Sequence, residues 1–199
     1  LKHRIQTCKQ LIELFNLSES DCKIYRELVE TYRMSVTPYY LSLMDSSNAT
    51  DPLRLQCIPD IRELRSTPEY VDDPLCEERD MPVPDLIHRY PDRCLAMITS
   101  SCALYCRHCN RKRRWNDSLK YRSRDGLLQM IHYISVTKNI REVIVSGGDP
   151  LMMNNDRLEW FLRAVREIDH VDILRIGSRI PVVLPMRITP NLCVMLRKY

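Results

Sequence analysis

Three cysteines stand within eight residues, Cys102-Ala-Leu-Tyr-Cys106-Arg-His-Cys109, a C-x3-C-x2-C run. Thiolates are soft ligands that suit iron–sulfur clusters or zinc. Three of them close around one small metal centre and leave a coordination position open for a substrate or cofactor. A structural zinc site takes four protein ligands. The nearest further donor, His108, is adjacent to Cys109 and would reach the same ion awkwardly. Buried cysteines without metal and a zinc site stay open as alternatives. The spacing points first to a [4Fe-4S] cluster with one iron that the protein does not hold.

Two other groups of residues could do chemistry beside it. Ser146-Gly147-Gly148-Asp149-Pro150 contains two of the chain's four glycines. Glycine permits positive φ and close backbone approach to a ligand, and Asp149 offers a carboxylate to an ammonium group. The alternative is a plain strand-to-helix turn. Arginines form the second group. Arg89 and Arg93 lie in HRYPDR, while Arg107, Arg111, Lys112, Arg113 and Arg114 crowd the cysteines. Guanidinium pairs with carboxylate and phosphate through two parallel bonds. Lys112, Arg113 and Arg114 read as a solvated basic face, and Arg89, Arg93 and Arg111 as anion ligands.

The elements that must position these residues can be read from the pattern. Cys94–Thr99 is a short apolar run, as in a buried strand. Residues 125–137 form a helix with Leu127, Leu128, Ile131 and Ile134 on one side. Residues 141–145 form a second strand that ends in the glycines. A helix over 158–168, a strand over 172–176 and a helix starting at 191 follow. Such alternation implies an α/β fold with parallel strands and right-handed crossovers. The cysteine and glycine loops then follow neighbouring strands, and the GGD turn is expected to face the cysteines. Three strands cannot close a barrel.

Residues 1–93 read differently from 94–199, and we divide the chain there. Ile5, Cys8, Leu11, Ile12 and Phe15 share a helical face over residues 3–17. Ser18 caps a second helix through a Ser18-Glu19-Ser20-Asp21 capping box. Residues 37–45, TPYYLSLMD, close this helical region. Seven of the twelve prolines then fall at 52, 59, 68, 74, 82, 84 and 91. Proline removes donors and fixes φ, so a wrapping extended arm is expected; an ordinary linker is the alternative.

With 199 residues, 44% of them apolar, the chain can build a core. Its formal charge of +4 does not call for nucleic acid or an anionic membrane. Nine unevenly spaced cysteines argue against a secreted disulfide framework and for a reducing, cytoplasmic setting. The start LKHRIQTCKQ is no signal peptide, and no apolar run approaches the ~20 residues of a membrane span. Asn48-Ala49-Thr50 is a coincidental glycosylation sequon on this reading.

The run CALYCRHCNRKR resembles the cluster loop of radical S-adenosylmethionine enzymes. The stretches MSVTPYYLSLMD, DPLCEERDMPVPDLIHRYPDR, VIVSGGDPL and RIGSRIPVVLPMRIT are similar in order and spacing to the lysine 2,3-aminomutase family, from about Asn16 to Tyr199. The resemblance implies that Cys102, Cys106 and Cys109 hold a [4Fe-4S] cluster, with S-adenosylmethionine on the fourth iron. It implies that Gly147, Gly148 and Asp149 contact the methionine amino end and that His108 lies against the adenine. Arg89 and Arg93 match arginines that help hold pyridoxal 5′-phosphate, and Arg111 matches the arginine for the substrate carboxylate.

The implied reaction is migration of an amino group from Cα to Cβ, started by a 5′-deoxyadenosyl radical. It would take an amino acid substrate and a low-potential electron donor, in a cytoplasmic homo-oligomer. The implied fold is the first βα units of a partial (β/α)6 barrel, apparently truncated. The family's pyridoxal-binding lysine and its acidic readers of the substrate ammonium lie downstream of this chain, so the catalytic residue is not expected here. Met186 stands where many relatives carry glutamine. A related radical enzyme acting on glutamate, or supplying β-lysine to a translation factor, is one alternative. A zinc-bearing nucleic-acid module using residues 111–115 is another.

Overall fold

The computed structural model describes residues 2–15, 18–65, 71–115 and 122–199. They form two compact units. The first comprises residues 1–74, 102–116 and 182–184, and the second residues 75–101, 117–181 and 185–199.

In the first unit, α1 (Cys8–Phe15) and α2 (Glu19–Thr31) bury Leu11 and Leu28 completely. The Ser18 hydroxyl accepts the Asp21 N–H at 3.2 Å, which satisfies one of the free donors at the start of α2. α1 begins later than the apolar periodicity suggests. Gln10 Oε1 accepts the N–H groups of Gln6 and Thr7 at 2.9 and 3.1 Å and so caps the helix from inside. Ile5 instead pairs with Val36 in an antiparallel bridge. The tail of the expected helix, residues 16–17, falls outside the described residues. Two short helices follow, α3 (Pro38–Ser42) and α4 (Pro52–Leu55), each with proline in the first turn and a side-chain cap from Thr37 or Asp51.

The second unit is built on a sheet of four strands in the order β1 (Leu86–Tyr90), β2 (Arg93–Thr99), β3 (Glu142–Gly147), β4 (Ile173–Ile176). β2, β3 and β4 are parallel, with Cys94 opposite Val143 and Val143 opposite Leu174. β1 runs antiparallel to β2 and lies within the stretch read from sequence as an extended arm. Pro84 and Pro91 flank this strand rather than interrupt it, so its ladder donors survive.

The crossover helices are α5 (Arg124–Val136) and α6 (Asn155–Arg166). Leu127, Met130 and Ile134 of α5, and Leu158, Phe161, Leu162 and Val165 of α6, are buried on faces of helical period. Cys94, Ala96, Ile98, Val143 and Val145 supply the sheet's share of the core. A short helix, α7 (Ile180–Val183), and then α8 (Pro190–Leu196) follow β4. Among the described residues, no helix is long and apolar enough to cross a membrane.

Candidate active site

The cysteine loop is held within its own unit by backbone bonds to distant segments. Tyr105 N–H donates to Ser35 O at 3.1 Å, and Ser35 Oγ donates to Ala103 O at 3.1 Å. Arg4 Nη1 donates to Cys102 O at 3.1 Å. Ala103, Leu104 and Tyr105 are buried. This apolar middle of the motif therefore packs inward, and Tyr105 lies 5.1 Å from the Trp115 ring.

The cysteines themselves are accessible. All three are half-buried and in no disulfide. Cys109 N–H donates to Cys106 O at 2.9 Å, which closes a turn between the second and third thiols. Cys109 Sγ accepts the Arg111 N–H at 3.4 Å. His108 is exposed, and Arg111 is half-buried at the exit of the turn. Among the described residues no three His, Cys, Asp or Glu side chains are already gathered as a metal site. The donor set, three accessible soft sulfurs within one short loop, fits an iron–sulfur cluster by its chemistry.

One acid beside this loop was not singled out from sequence. Glu63 accepts from Arg107 through both oxygens, at 3.0 and 2.7 Å, and from Lys112 Nζ at 2.6 Å. Burial pushes its carboxyl up. The hydrogen bonds from Arg107 and Lys112 outweigh that and hold it below the usual glutamate range. Lys112 is thus one arm of a half-buried ion network rather than part of a solvated face.

In the second unit the glycines are required by backbone geometry. Gly147 has φ +131°, and a Cβ there would meet Thr99 O at 2.2 Å. A Cβ on Gly148 would meet Ser101 O at 2.5 Å. Gly148 N–H donates to Thr99 O at 2.6 Å and Asp149 N–H to Ser101 O at 2.8 Å. The end of β3 is therefore pressed onto the chain leaving β2, one residue before Cys102 in the sequence.

Asp149 is buried, and its carboxylate joins two loops. Oδ1 accepts from Ser178 Oγ at 2.7 Å and from Leu151 N–H at 3.1 Å, and Oδ2 accepts the Arg179 N–H at 2.7 Å. Burial raises its carboxyl above the usual range despite these bonds. Ser178 and Arg179 lie just past β4, in the RIGSR stretch. Nothing in their spacing from Asp149, about thirty residues away, announces the contact.

Arg89 and Arg93 are placed elsewhere on this sheet. They lie on the β1–β2 hairpin, with Arg93 opposite Glu142 at the start of β2, whereas Gly147 is opposite Thr99 at its end. Seven residues of strand separate those ends by about 20 Å. Arg89 donates to Asp80 Oδ2 at 2.7 Å and to Leu75 O, and Arg93 donates to Asp92 at 3.1 Å.

The Radical SAM superfamily pattern matches residues 97–188. The chain is 45% identical over all 199 residues to the L-lysine 2,3-aminomutase of Fusobacterium nucleatum, covering 47% of that protein. It is 45% identical to that of Clostridium subterminale, covering 48%. It is 39% identical to the glutamate 2,3-aminomutase of Clostridioides difficile, covering 47%. The chain is similar along its whole length to lysine 2,3-aminomutases of the radical SAM superfamily. It spans about half the length of the curated relatives it matches.

Proposed function

We propose that this chain carries the cluster-binding part of a pyridoxal-phosphate-dependent amino acid 2,3-aminomutase, an isomerase that turns L-lysine into β-lysine. One observation carries the reading: the three cysteines follow β2, the Gly147-Gly148-Asp149 turn follows β3, and β2 and β3 are parallel neighbours. Loops at the C-terminal ends of parallel strands are where α/β folds bind ligands. The finer architecture we propose is the opening βα units of a partial (β/α)6 barrel over residues 94–199, preceded by a helical and proline-rich region over 1–93.

Cys102, Cys106 and Cys109 would hold three irons of a [4Fe-4S] cluster. When bound, the cluster supplies the electron that cleaves S-adenosylmethionine reductively, and pyridoxal phosphate supplies the carrier for the migrating nitrogen. The chain's own residues bind and orient. Gly147 and Gly148 let the chain turn tightly against Thr99 and Ser101, and that turn would contact the amino and carboxylate end of S-adenosylmethionine. Asp149 fixes that backbone and offers its remaining acceptor capacity to the ammonium. His108, exposed on the turn, would lie against the adenine, and Arg111 would present a guanidinium to the substrate carboxylate.

Arg89 and Arg93 would have to exchange Asp80 and Asp92 for a phosphate. A low-potential electron donor is the implied partner, and assembly into a homo-oligomer is part of the proposal. Free thiols and cluster chemistry favour a cytoplasmic location.

Glutamate is the second substrate reading, favoured by the 39% identity to a glutamate 2,3-aminomutase. The test is product analysis. The anaerobically reconstituted protein carrying this chain, given dithionite, S-adenosylmethionine, pyridoxal phosphate and L-lysine, forms β-lysine. β-Glutamate from L-glutamate in its place moves the substrate. Neither product, from protein that retains its iron, overturns the aminomutase reading.

A further inference from the structure

Arg107 stands between Cys106 and His108, and Lys112 three residues beyond Cys109. Both reach the same carboxylate. Glu63 receives Arg107 Nε and Nη2 on separate oxygens and Lys112 Nζ on one of them. Arg107 is otherwise committed to main chain: its Nη1 donates to Arg33 O at 3.0 Å and its N–H to Gln56 O at 2.8 Å. The Arg107 side chain is 6% exposed and that of Glu63 14%. Glu63 is itself fixed, because Oε1 accepts the Asp60 N–H at 3.0 Å in a capping box.

This places one half-buried acid as the clamp on both flanks of the turn that carries two of the three sulfurs. Two cations at one carboxylate lock that turn more firmly than the turn's single backbone bond, because charge-assisted, two-point bonds are the stronger kind. A solvated basic face would leave the turn free to open. We propose that Glu63 is a positioning residue for the cluster: acting through Arg107 and Lys112, it sets the geometry in which Cys106 and Cys109 meet iron. This rests on the reading that the cysteines hold iron, and it assigns a role to an acid 39 residues before Cys102.

The test compares wild type, Glu63→Gln and Arg107→Lys. The first variant keeps the shape of the acid and loses its charge. The second keeps the cation and loses the two-point grip. Metal-free protein is treated with iodoacetamide, and modification is followed cysteine by cysteine by mass spectrometry. In both variants Cys106 and Cys109 react about tenfold faster than in wild type, consistent with losing one charged hydrogen-bond pair. Cys57 and Cys94, buried in the first and second units, serve as internal references and keep their rates.

Reconstituted variants lose iron to a chelator faster by a similar factor. Unchanged rates at Cys106 and Cys109 overturn the proposal. So does an equal rise at Cys57 and Cys94, which would make Glu63 a general stabiliser. A wild type that takes up no iron overturns the cluster reading itself, a result distinguishable because the alkylation comparison needs no metal.

Discussion

Asp149, at the end of β3, accepts the backbone N–H of Arg179, beyond β4, at 2.7 Å through Oδ2. Its other oxygen holds Ser178 and Leu151. One buried carboxylate thus fixes two consecutive loops of the sheet. Removing it leaves these donors unpaired, and Asp149→Ala is expected to destabilise the protein by about 3 kcal/mol. Urea titration measures this as a lower unfolding midpoint.

Asp149 and Glu63 should respond to pH with opposite signs. The carboxyl of Asp149 is raised on folding, so the folded form binds its proton more readily. Its contribution to stability is full below the unfolded value of about 3.9 and fades as pH rises through the folded value. The carboxyl of Glu63 is lowered, so its contribution is full above about 4.3 and is lost as pH falls through the folded value. Between about pH 3 and pH 7, the stability of Asp149→Asn relative to wild type therefore improves as pH rises. That of Glu63→Gln worsens over the same range. Unfolding midpoints at matched pH values check both slopes.

The turn after β3 admits no side chain at two successive positions. A Cβ on Gly147 or Gly148 would overlap the backbone of Thr99 or Ser101, and neither partner is a side-chain end that could swing away. Gly147→Ala and Gly148→Ala should each cost about 3 kcal/mol. Calorimetric melting reads the loss. Binding of S-adenosylmethionine, measured by equilibrium dialysis, should fall with it.

Arg89 and Arg93 lie at the opposite end of β2 from this turn, and that separation makes their role separable. Arg89→Ala and Arg93→Ala should leave iron content and S-adenosylmethionine binding unchanged. Pyridoxal phosphate affinity should weaken by about tenfold, the loss of one charged hydrogen bond. Absorbance titration of the cofactor into each variant gives the number.

Much of the sheet was legible because its signals are local. The apolar runs at 94–99 and 141–145, and the helical spacing of Leu127 with Ile134, follow from burial on a short period. β1 was not legible. It is five residues long and sits among prolines, and its pairing of Leu86 with Ala96 depends on a hairpin whose register shifts between Ile87 and Tyr90. The spacing of the cysteines points to a soft metal centre. Glu63 and Ser178 give no such signal, because each meets its partner across 44 or 29 residues through a contact that only the folded chain creates.

The central claim is that Cys102, Cys106 and Cys109 hold a cluster with one iron open to S-adenosylmethionine. Its most direct test is electron paramagnetic resonance of the anaerobically reconstituted, dithionite-reduced protein, recorded with and without S-adenosylmethionine. The account predicts about four irons per chain, a reduced-cluster signal that changes shape when S-adenosylmethionine is added, and loss of both in Cys102→Ala, Cys106→Ala and Cys109→Ala. A colourless protein that binds zinc instead, or a cluster signal indifferent to S-adenosylmethionine, would contradict it.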